Sequence, residues 1–220
     1  MLIDFHTHYI PTESIHAFVY SVDIQNPIFN LPKFFTLGIP PWYIQENWKE
    51  KISLFGDIVQ KYKVLAIGEF GLDRFKGPDL EIQEKVFYSM VQKAEDLQLP
   101  CVIHCVRCFE KLIFLYKKIK PKTTWIVHGF TGNKTIAVEL WKKGIFTSFG
   151  EGLKKFPHCK EIFYISPEEL IFLETDESKI SIKEIYEIAS KIKGIPQEKL
   201  EKIIINNFIN NFINLFGNVL

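Results

Sequence analysis

The sequence predicts a (β/α)8 barrel with shortened or missing helices after its first two strands. Three observations predict it. Short, continuous apolar runs recur from end to end, most of them separated by amphipathic stretches. Those runs are rich in β-branched and aromatic residues and do not alternate with polar ones, the mark of strands buried on both faces of a parallel sheet. The chain has 220 residues, at the low end of the range for this fold.

The eight runs are LIDF (2–5), AFVYSV (17–22), FFTLGI (34–39), VLAIGE (64–69), CVIH (101–104), WIVH (125–128), IFTSF (145–149) and LIFLE (170–174). Helical spacing fills most of the intervals. Residues 43–61 place Ile44, Trp48, Ile52, Phe55 and Val59 on one face, and residues 80–98 do the same with Leu80, Val86, Met90, Ala94 and Leu97. Pro100 ends that second helix. Segments 108–119, 133–143, 181–193 and 197–216 read as helices too, the last opening at Pro196 and stopping by Gly217. The first two intervals carry Pro11, Pro27 and Pro32 and are too short for a full helix. A rival open sheet lacks the glycine-rich G-x-G-x-x-G turn. One domain over residues 1–220 is expected.

Composition excludes several classes. Hydrophobic residues are 47% and charged residues 24%, so neither disorder nor a fibrous repeat is expected. With 27 basic and 26 acidic residues, the chain is not a strongly basic nucleic-acid coat. No apolar run approaches the length of a membrane span, and Asp4 and His6 interrupt the N-terminal segment where a secretory leader would be apolar. A cytoplasmic protein is expected, monomeric or a weak homo-oligomer, with no membrane partner. Cys105 and Cys108 have C-x-x-C spacing beside His104. A zinc knuckle needs a second such pair, and Cys159 stands alone, so buried reduced thiols are expected.

Polar residues at the strand ends carry the chemistry. Asp4, His6 and His8 follow the first strand as D-x-H-x-H. Glu69 ends the fourth, His104 the fifth and His128 the sixth, and Asp176 follows the eighth. In a barrel these ends converge on the face where active sites are built. His6 and His8 alternate along an extended segment, so both rings point the same way. Four imidazoles and two carboxylates are a divalent-metal set. That much imidazole suits zinc, iron, nickel or copper, and the carboxylates extend the choice to manganese. His16 and His158 fall outside the pattern and read as surface or loop residues. Glu174 shares a strand face with Asp176 and supports the site or caps the core. Asp4 is expected to support a histidine ring.

DFHTH, GEFGLD, QEKVFYSMVQKAEDLQLPCVIHC, HGFTG and LETDES, in this order, resemble the successive motifs of TatD-type metal-dependent hydrolases, and NNFINNFINLFG resembles that family's closing helix. The resemblance runs over residues 1–217. It implies a TIM barrel, two divalent ions (Zn, Mn or Mg) and phosphodiester hydrolysis, commonly of DNA, with single-stranded DNA or 3' ends as the expected partner. His6, His8 and Asp176 would hold one ion, Glu69 would bridge, and His104 and His128 would hold the second. Asp176 and Glu69 would be catalytic, with Asp176 accepting a proton from water.

Two positions depart from the family pattern: Pro40 stands where a histidine is usual after the third strand, and Val106 where an arginine is usual after the fifth. By the resemblance both positions would line the substrate pocket, and they keep open a small-molecule amide, lactone or phosphate-ester substrate; a non-catalytic metal-binding protein is the third alternative. Gly129, Thr131 and Gly132 suggest an oxyanion turn or plain turn geometry. Arg74, Lys76, Lys154 and Lys155 suggest phosphate contacts or solvated loops. Trp42, Tyr43, Phe70 and Phe130 suggest base stacking or packing.

Overall fold

A computed structural model describes residues 1–10, 17–24 and 31–213. The chain runs β1 (Ile3–Thr7), β2 (Ala17–Asp23), β3 (Phe35–Gly38), a 3-10 turn (Pro41–Tyr43), α1 (Trp48–Ser53), α2 (Phe55–Lys61), β4 (Val64–Asp73), α3 (Leu80–Leu97), β5 (Cys101–Val106), α4 (Phe109–Ile119) and β6 (Trp125–Val127). It continues with α5 (Lys134–Trp141), β7 (Phe146–Phe149), α6 (Gly152–Lys155), α7 (Pro157–Ile165), β8 (Ile171–Leu173), α8 (Ile182–Lys193) and α9 (Gln197–Phe208), followed by a π turn (Ile209–Ile213).

All eight predicted strands form, and they lie in one sheet in sequence order. The pairs β2–β3, β3–β4, β4–β5 and β7–β8 are parallel. A parallel bridge from Thr7 to Asp176 joins the end of β1 to the segment after β8. Parallel strands in sequential order, with the last returning to the first, are the topology of the (β/α)8 barrel. Among the described residues no helix lies between β1 and β3. Residues 11–16 and 25–30 of those intervals, with Pro11, His16 and Pro27, lie outside the described residues, as does Gly217. No helix among the described residues is long and apolar enough to cross a membrane.

Four parts of the chain differ from the sequence reading. The helix expected over 43–61 is two helices meeting at Leu54, because Ser53 donates its hydroxyl back to the Glu50 carbonyl at 2.6 Å and competes with the helical ladder. The β4 strand runs to Asp73, so Glu69 lies inside it rather than at its end, and β5 runs to Val106. The interval before β8 holds α6 and α7, which the sequence reading did not separate from loop; Pro157 opens α7, and Cys159, Ile162 and Phe163 form its buried stripe.

Two compact units make up the chain, Met1–Val19 with Val127–Leu220, and Tyr20–Ile126. In the first, Phe5 stacks on Phe172 at 4.2 Å between ring centroids, and Phe146, Phe208 and Phe212 complete the aromatic cluster. The buried Tyr186 of α8 exchanges hydrogen bonds with the Ile3 backbone and ties the helix to β1. In the second, Phe70, Phe87, Trp125 and Tyr116 pack edge to face. Phe70 and Phe130 are therefore packing residues, fully or almost fully buried.

Candidate metal centre

The first unit assembles its ligands where β1 meets the segment after β8. The Asp176 amide donates to the His6 carbonyl at 2.9 Å, and the His8 amide donates to the Asp176 carbonyl at 3.3 Å. This lattice brings Asp176 Oδ1 to 3.5 Å from His8 Nε2 and 3.8 Å from His6 Nε2. Donor atoms of His6, His8 and Asp176 all lie within 4.8 Å of one another, and so do those of His128, Glu174 and Asp176. The His6 and His128 rings are 4.2 Å apart. Asp176 sits at φ 54°, a left-handed conformation that aspartate tolerates better than most residues.

Two carboxylates hold this arrangement. Asp4 accepts from the Thr175 amide at 2.9 Å and the Thr175 hydroxyl at 2.6 Å. Its bonds thus fix the residue before Asp176 rather than a histidine ring, as its position in D-x-H-x-H had suggested. Burial pushes the Asp4 carboxyl up to about 7, against the lowering effect of the Thr175 hydrogen bonds and with a further rise from the Glu174 charge. Glu174 is fully buried, and its Oε1 accepts from the Gly129 amide at 2.6 Å and lies 3.5 Å from His128 Nδ1. Glu174 therefore fixes the His128–Gly129 turn, where Gly129 takes φ 55°. With its amide bound to Glu174, Gly129 has no donor left for an oxyanion. The Glu174 Oε2 atom is buried without a hydrogen-bond partner. Such an atom inside a His–Asp–Glu cluster fits a divalent cation.

A cleft of about 340 Å³ opens beside Asp176, lined by Phe130, Phe149, Glu174, Lys155 and Phe156 among others. The lysines at 154 and 155 stand on α6, not on a loop. Lys154 pairs with Glu184 at 2.7 Å and Lys155 with Glu151 at 2.5 Å. His158 is exposed on α7.

The second unit places Glu69 and His104 on adjacent strands. His104 Nδ1 is 2.9 Å from Glu69 Oε1, and His104 Nε2 is 3.1 Å from Asp73 Oδ2. Glycines make this closeness possible. A Cβ on Gly71 would meet the His104 backbone at 2.7 Å, and one on Gly38 would meet Gly68 C and Glu69 N at 2.5 and 2.6 Å. The sequence reading did not single out Asp73 or Gln83. Asp73 Oδ1 also accepts from the amides of Phe75 and Lys76. Gln83, 1% exposed, accepts from the Asp73 amide at 2.8 Å and donates to the carbonyls of Asp73, Lys76 and Pro78. The G-x-D spacing after Glu69, and a glutamine on the apolar face of α3, are the signals that point to them. The Trp42 ring lies edge-on to His104 at 4.6 Å.

All four cysteines are buried unpaired thiols, and burial raises the pKa values of Cys105 and Cys108. Among the described residues, no converging donor group includes a cysteine.

Sequentially ordered parallel strands carrying histidine–carboxylate clusters define a barrel able to hold divalent metal. Residues 5–213 match the family model described as TatD related DNase, and the chain belongs to that family. An uncharacterized metal-dependent hydrolase of Methanocaldococcus jannaschii is 28% identical over 186 residues, covering 79% of this chain and 73% of that protein. The 3'-5' ssDNA/RNA exonuclease TatD of Erwinia tasmaniensis is 27% identical over 146 residues, covering 64% of this chain and 56% of that protein. The crystal structure of YjjV, a TatD homolog from Escherichia coli, superposes with a TM-score of 0.82 at 18% identity and covers 96% of this chain and 98% of that one. The likeness shows the shared barrel fold.

Proposed function

We propose that the protein hydrolyses phosphodiester bonds of DNA, acting on single strands or 3' ends, as one hydrolase domain over residues 1–220 with two divalent ions. The observation that carries this reading is the convergence of His6, His8 and Asp176 donor atoms to within 4.8 Å, beside an open cleft. In this reading His6, His8 and Asp176 would hold one ion, Glu69 would bridge, and His104 and His128 would hold the second; zinc, manganese and magnesium are the candidates. Bound there, the ions would supply Lewis acidity and lower the pKa of water. Asp176, 40% exposed at the cleft, takes the proton from the attacking water, and Glu69 is the second catalytic carboxylate. Asp4 keeps Asp176 in place through Thr175, and Glu174 orients the His128 turn. The name of the Erwinia relative supports a single-stranded substrate. Unpaired thiols support a reducing, cytoplasmic setting.

A small phosphate ester is the second reading. A cleft of about 340 Å³ favours it, since that volume suits a small ligand. The deciding experiment digests end-labelled single-stranded DNA with metal-stripped protein, restoring manganese, zinc or magnesium in turn, with Asp176→Asn alongside. Metal-dependent, ladder-like shortening that disappears in the variant is the expected result. No cleavage by protein shown to contain metal overturns the nuclease reading in favour of the small ester.

A further inference from the structure

Phe75 is 74% exposed, yet the loop that presents it is fixed from below. Asp73 Oδ1 accepts from the Phe75 amide at 2.8 Å and the Lys76 amide at 3.1 Å, and Gln83 clamps the backbone from Asp73 to Pro78. Gly77, at φ 87°, lets the loop press on the 3-10 turn: a Cβ there would meet Pro41 C at 2.9 Å and Trp42 Cα at 3.2 Å. Solvent exposure alone explains neither the buried polar scaffold nor a large aromatic at its tip.

The surroundings select the occupant. Tyr43 is also exposed, and Lys76 Nζ stands 5.6 Å from the Trp42 ring. Arg74 is exposed and fixed by its Nε bond to the Arg107 carbonyl at 3.1 Å. An aromatic face flanked by two cations matches one unpaired base and its phosphates better than it matches an apolar protein surface. The same Asp73 carboxylate reaches His104, so the loop is built onto a proposed metal ligand.

We infer that the loop 74–76 is a base-stacking platform: Phe75 stacks one unpaired nucleobase of the substrate strand, and Arg74 and Lys76 contact its phosphates. This rests on the reading of the substrate as nucleic acid. The platform fixes where a strand lies relative to His104 and supplies affinity that the nearly neutral chain lacks as a whole.

The test measures kcat and KM for a single-stranded oligonucleotide with wild type, Phe75→Ala and Phe75→Tyr, and repeats each with single abasic sites stepped along the strand. Stacking on one base predicts a KM roughly tenfold higher for Phe75→Ala, with kcat within about twofold. Phe75→Tyr restores KM, and melting temperature is unchanged. One abasic position raises KM for wild type and leaves Phe75→Ala unaffected. Unchanged KM in Phe75→Ala, or no abasic position that distinguishes the two proteins, overturns the platform while the nuclease reading stands. Failure of wild type itself to bind or cleave the intact strand overturns both, and is recognised because it precedes any substitution.

Discussion

Replacing Gln83 with leucine removes the clamp beneath the β4–α3 loop while keeping side-chain volume close to the original. Gln83 makes four hydrogen bonds to backbone. The two with Asp73 are buried, and those with Lys76 and Pro78 are partly buried. Each buried backbone group left without a partner costs about 1–3 kcal/mol, while the partly buried carbonyls regain water. The two Asp73 groups alone therefore give a loss of roughly 2–6 kcal/mol, a large share of the stability of an ordinary domain. Urea denaturation followed by far-UV circular dichroism reads this as a lower midpoint at unchanged slope. Gln83→Glu, which retains an acceptor for the Asp73 amide, lies between wild type and Gln83→Leu. A loss for Gln83→Leu below about 1 kcal/mol refutes the reasoning, because it means that the loop finds other partners without its clamp.

Two further outcomes are expected. Glu174→Gln keeps the volume but removes the charge that fixes the His128–Gly129 turn, so zinc or manganese affinity measured by calorimetry falls about 10- to 100-fold; an unchanged affinity assigns Glu174 to folding alone. Burial tends to raise the Glu95 carboxyl, but hydrogen bonds from Thr123 and Lys122 outweigh it and hold the group below its ordinary 4.5. A depressed carboxylate stabilises the fold above its unfolded pKa and loses that contribution as pH falls through its folded value. The stability gap between wild type and Glu95→Gln is therefore full at neutral pH and closes as pH falls below the ordinary 4.5 and through the folded value; a gap unchanged in strong acid contradicts this.

The strands were legible in the sequence because a barrel strand is buried on both faces and reads as an unbroken apolar run. The candidate metal residues drew notice because histidine is scarce, with six in the chain, and four were expected at strand ends; His6 lies within β1 and His104 within β5, while His8 and His128 stand just beyond β1 and β6. The supports were harder to read. Asp4 and Thr175 meet only through the β1–β8 junction, so nothing local in D-x-H-x-H says that the aspartate reaches Thr175 rather than a ring. Asp73 lay hidden because β4 was expected to end at Glu69, whereas glycines at 68 and 71 let the strand run on against β5. The split at Leu54 depends on one serine hydroxyl turning inward, which helical periodicity does not register.

The junction of Asp4 with Thr175 spans 171 positions of sequence. Synthesis from the N-terminus delivers His6 and His8 long before Asp176 emerges. In a growing chain the His6 and His8 imidazoles therefore wait for the Asp176 carboxylate, which is made only after β8. In the proposed reading, binding of an ion by His6, His8 and Asp176 would be a late event, coupled to closing the last strand on the first, and a fragment ending before β8 is expected to hold metal poorly even when its early strands have formed.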